Sequence, residues 1–153
     1  MKWMIRFCAL WVALLFAGCE TMHQGSAGAG AGRPASSGGK GVRIVSPAPA
    51  STHKPGPVEV CIETKGYVVE PAKNGVNEGK GHHHLIIDAP MPDLNQPIPK
   101  DARHIHMGDG SQCKTIELGS GVHTIRALFA KGNHIPYNPP VTDTVFIYVG
   151  HAL

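Results

Sequence analysis

Short runs in which apolar and polar residues alternate recur along the chain, broken by Gly and Pro. A side-chain period of two is the signature of a half-buried strand. The pattern predicts strands at 42–46, 57–63, 67–70, 83–88, 104–107, 113–118, 122–130 and 143–149. No window sustains the i, i+3, i+4 spacing that an amphipathic helix needs. Seven to eight short strands at this spacing predict an all-β fold, a single immunoglobulin-like β-sandwich over residues 42–150. The run from Val122 to Phe129 alternates imperfectly, as a strand buried on one face and partly on the other would. Two long Pro-rich connections, 89–100 and 133–141, are the loops on which binding residues are expected.

The first forty residues follow a different logic. Lys2 and Arg6 precede an apolar stretch from Phe7 to Gly18, which predicts an export signal over 1–18 and is short for a bilayer span. Leu15-Phe16-Ala17-Gly18-Cys19 resembles a bacterial lipobox, and the resemblance implies cleavage before Cys19 and its acylation, palmitate included. Several acyl chains anchor firmly, since each buried methylene contributes about 0.8 kcal/mol. Glu20 in place of Asp after the cysteine points to the outer membrane, facing the periplasm. Residues 19–41 then form a Gly/Ala/Ser-rich tether with no hydrophobic period.

Composition narrows the function. Formal charge is +3, and 14 basic residues less Lys2 and Arg6 leave 12 against 11 acidic ones in the mature chain. Such a near-neutral chain lacks the basic footprint of a nucleic-acid binder. Setting aside Cys8 in the signal and Cys19 leaves Cys61 and Cys113, two thiols in an exported domain, which predicts one disulfide.

Histidine carries the chemistry. There are ten, seven of them between His82 and His134. Period two puts His82 and His84 on one strand face, opposite His83, Leu85 and Ile87, and likewise His104 and His106 opposite Ile105 and Met107. Two such His-x-His strands side by side would bring three or four rings together. If the apolar faces build the core, these imidazoles turn outward, near the loop carrying His134. The expected ligands of a copper or zinc ion are therefore His82, His84, His104, His106 and His134, with Asp88 and Asp109 orienting the rings. Neutral imidazole is the ligand form, so affinity should fall with pH near the unperturbed pKa of about 6.5. His83 and His123 read as structural, and His23 and His53 as solvated.

The stretches Gly81–Asp88, Ile98–Gly108, Gly121–Ile125 and His134–Val141 together resemble a bacterial exported family known as a domain of unknown function, number 4399. That family carries a second histidine where this chain has Tyr137. The resemblance implies an exported β-domain and no particular activity. Two readings stand side by side: an envelope lipoprotein that binds a transition metal, and a metal-free module that docks an envelope protein or small ligand. An enzymatic role is less expected, because Ser111, Ser120 and Thr124 stand in no nucleophile motif.

Overall fold

The computed structural model describes residues 39–150. The expected signal, the lipidation site Cys19 and nearly all of the tether lie outside the described residues. Nine strands follow in order: β1 (Gly41–Ser46), β2 (Thr52–His53), β3 (Gly56–Lys65), β4 (Val68–Val69), β5 (Lys80–Ile87), β6 (His104–Met107), β7 (Cys113–Leu118), β8 (Gly121–Ala130) and β9 (Thr142–Val149). All eight expected strands are present. β3 and β5 start earlier than expected, and the 67–70 run contracts to two residues. β2 is an addition: it pairs in parallel with the end of β9, through Thr52–Tyr148 and His53–Val149, a tertiary contact with no local signal. Apart from one 3-10 turn at Ala72–Asn74, the described residues form no helix.

The strands make two sheets, β1-β3-β7 and β2-β9-β8-β5-β4, with β6 paired to β5. Alternation in β3 turns Val58, Val60 and Ile62 inward, and they meet Leu85, Ile87, Ile125, Ala127, Val145 and Ile147 of the larger sheet. Fully burying a side chain of this kind contributes about 1.5–3 kcal/mol, so this interface dominates the fold. Asp143 adds a polar tie between the sheets, its Oδ2 accepting a 2.9 Å bond from the Ile44 amide. Cys61 and Cys113 stand directly opposite each other in the β3–β7 ladder and form the disulfide, with Cα atoms 4.1 Å apart. The expected crosslink is thus present, on the flank of β3 that alternates away from the core.

β5 is unusual for an antiparallel sheet, because it is buried on both faces from Gly81 to Ile87. Its outer face is covered by the two Pro-rich connections. Asp88, at φ 49°, turns the chain out of β5, and its Oδ1 accepts from the Thr124 amide at 2.8 Å. Arg126 Nη1 donates to the Ala89 carbonyl. Further along, Ile98 packs with Ile86, Leu128 and Ala130 as a second apolar cluster, and its amide donates to the His134 carbonyl at 3.0 Å. The loops are therefore fastened down over β5, and this roof makes the site.

Candidate metal centre

Four histidines converge beneath the roof. His82, His84, His106 and His134 each offer one ring nitrogen, and these nitrogens all lie within 4.8 Å of one another. Three strand positions explain the convergence. His82 and His84 project together from β5, and the β5–β6 register sets His106 directly across from His84. His134 comes from the loop after β8, held in the left-handed region at φ 66° by a tight turn in which its amide donates to the Lys131 carbonyl at 2.8 Å. A histidine in that conformation is locally strained, and the surrounding contacts impose it.

Packing within the cluster is close. His82 Nε2 lies 3.0 Å from His84 Nε2 and 3.0 Å from His134 Nδ1. The His106 and His134 ring centres are 4.7 Å apart, nearly edge-on. His106 fits because of Gly108: a Cβ there would run into the His106 imidazole at Cε1 and Nε2. A cavity of about 80 Å³ opens beside the rings, lined by His84, His106, His134, Ile98, Pro99 and Lys100.

The rings turn away from the sandwich interior, as their period requires, yet His82 and His84 are 0% and 2% exposed because the loops close over them. That burial changes their acid–base behaviour. Desolvation, reinforced by the neighbouring imidazoles, lowers His82 to about 4 and His84 to about 2. His106 is lowered too, first by burial and then by His134 and Lys100, with Asp109 opposing. The expected titration near 6.5 is therefore displaced to more acid pH for these rings, which remain neutral and ligand-competent at neutral pH.

His104 sits on the same face of β6 as His106 but outside the cluster. It pairs with Ile86, and its Nδ1 lies 2.9 Å from Asp101 Oδ1, which also accepts from the amides of Arg103 and His104. Neither of the two expected ring-orienting carboxylates hydrogen-bonds a ring of the cluster. Asp88 Oδ2 lies 2.7 Å from His123 Nδ1, and Asp109 Oδ1 accepts from the Ser111 amide. His123 is structural, as expected: burial opposes its charged form, but Asp88 and the Gly119 carbonyl outweigh that and raise its pKa. His83 points into the sandwich, with Nε2 2.9 Å from Thr64 Oγ1 and its ring 5.1 Å from that of Phe129. His53 Nε2 lies 2.8 Å from Ser51 Oγ. Nδ1 of His82 and of His84 and Nε2 of His106 are buried, and no protein group among the described residues hydrogen-bonds them. Sequence reasoning missed Gly108 and the roof residues Ile98, Pro99 and Lys100. A glycine just beyond a His-x-His pair is a local signal, whereas the roof depends on where the loop lands.

No curated protein and no solved structure matches the chain. One family does match, over residues 60–150, a span that holds most of the sandwich and all four clustered histidines. The chain belongs to the family described as Domain of unknown function (DUF4399).

Proposed function

We propose that this domain binds one transition-metal ion, copper or zinc, through His82, His84, His106 and His134. The convergence of four imidazole nitrogens, two of them on the buried rings of His82 and His84, with no carboxylate in the group carries this reading. Each neutral imidazole keeps one N–H and one lone pair, so the 3.0 Å contacts accommodate N–H···N bonds between rings in the absence of metal, and the lone pairs become donors when a cation enters. Protonation is disfavoured at neutral pH, because burial and mutual repulsion depress the basicity of His82 and His84. A borderline metal ion suits nitrogen donors and takes up the lone pairs that a proton does not.

The domain serves storage or delivery of the metal at the cell envelope. A lipid on Cys19 holds it to the outer membrane on its tether, facing the periplasm. The lipobox-like sequence supports that placement, as does the Cys61–Cys113 disulfide, which suits an oxidising compartment.

Metal content of the untagged protein tests the binding. One equivalent should be retained, and His84→Ala, His106→Ala or His134→Ala should lose it, while His104→Ala and His53→Ala keep it. Equal loss across all five would mean adventitious binding. The 3.0 Å ring–ring contacts favour one second reading, a metal-free cluster that fastens the two loops into a docking surface for an envelope protein or small ligand. No uptake at neutral pH would select it.

A further inference from the structure

A dication held by four neutral imidazoles brings two uncompensated charges into a buried site, and such charge is costly without a counter-charge. The chain supplies little. No carboxylate belongs to the four-ring group. Asp88 is engaged with His123 and Thr124, and Asp101 with His104 and the backbone after it. Asp109 acts on His106, but Lys100 acts on the same ring with opposite sign. Metal loading would therefore leave the neighbourhood of the cavity net positive.

The cavity offers a remedy. It lies against His84, His106 and His134, and Lys100 stands on its wall. His84 is 98% buried and lines it. At about 80 Å³ it holds two or three waters' worth of space, a water's share of the liquid being about 30 Å³. That suits an anion of a few atoms.

We infer that the cavity beside the four histidines is a binding site for a small inorganic anion, which ligates the bound metal on one side and meets the Lys100 ammonium on the other. The inference rests on the metal-binding reading and adds an exogenous ligand to it. Its consequence is that anion and metal bind with positive coupling, each favouring the other's retention.

Azide on the copper-loaded, untagged protein is the probe. Titration should raise an azide-to-copper charge-transfer band that saturates at one azide per copper. Lys100→Ala should take up copper with unchanged stoichiometry and bind azide about tenfold more weakly, as expected for losing one charge-assisted contact. Lys100→Arg should restore the affinity. A copper-loaded protein that shows no such band overturns the inference. Equal azide affinity in the wild type and Lys100→Ala also overturns it, because any exposed copper would behave so. Failure to load copper or zinc at all is a different result: it removes the metal reading, and the anion site falls with it.

Discussion

Gly108→Ala separates the proposed metal site from the fold more cleanly than truncating a histidine of the cluster. Gly108 lies outside the positive-φ region, so alanine is compatible with its backbone. In a compatible position the change from Gly to Ala alters stability by about 1 kcal/mol or less and tends to favour the folded state. The conflict is with one side chain, the His106 imidazole, whose Cε1 and Nε2 occupy the space of the new methyl. Non-bonded carbons settle at about 3.5–4.0 Å, so the ring must retreat by roughly an ångström or more. Metal–ligand distances tolerate about 0.2 Å. The variant should therefore unfold at nearly the wild-type urea midpoint yet bind copper or zinc at least about 10–100-fold more weakly, the range seen when ligand orientation is lost. Competition against a chelator of known affinity measures it. Adding His106→Ala to the variant should bring little further loss beyond that of His106→Ala alone, since both changes act through one ring. Wild-type affinity in Gly108→Ala would refute the placement of His106 in the site, and a folded protein is required by the same argument.

Four further outcomes follow from the same geometry. His82 and His83 are lowered to about 4 by burial, so between about pH 6.5 and 4 the unfolded chain takes up protons that the native rings refuse. Stability of the metal-free protein is then complete above about pH 6.5 and falls on acidification, by up to about 1.4 kcal/mol per pH unit for each ring, and equal urea midpoints at pH 7 and 5 would contradict it. Reducing Cys61–Cys113, which are 52 residues apart, should cost up to about 4 kcal/mol and lower the melting temperature, whereas two titratable thiols in the oxidised, denatured protein would show that no bond forms. Asp143→Ala strands the buried Ile44 amide and should destabilise by about 2–3 kcal/mol in urea unfolding, with metal stoichiometry unchanged. Cys19→Ser should release the protein from the membrane fraction, and unchanged fractionation would remove the lipid anchor.

Strand positions were legible because burial on one face writes itself into the sequence with period two: Val58, Val60 and Ile62 point inward and Glu59 and Glu63 do not. The cysteine pair was legible by arithmetic, and the β3–β7 register supplied what arithmetic lacks, the two residues face to face. β2 was not legible, since two residues carry no period and its partner lies about a hundred residues away in β9. The extent of burial in β5 was visible only in part. The run Leu85-Ile86-Ile87 shows apolar residues on both faces, but nothing local tells that 89–100 folds back over the outer one.

The same contrast explains the site. His82, His84 and His106 were legible because a His-x-His pair fixes relative direction within a strand, and His134 because a histidine in a long loop is free to approach them. Direction is not contact, however. His104 shares the face of His106 but stands opposite Ile86, one pleat period further from His82, and Asp101 three residues earlier captures its ring. An Asp at i−3 that caps the strand start through the Arg103 and His104 amides is a local competitor for the imidazole, and it wins because it needs no tertiary folding. His106 has no such neighbour; Asp109 turns instead to the Ser111 amide, and Gly108 leaves the space into which the ring falls. The two histidines of one motif thus part by their immediate sequence context: the one beside an aspartate becomes structural, and the one beside a glycine becomes available to a metal.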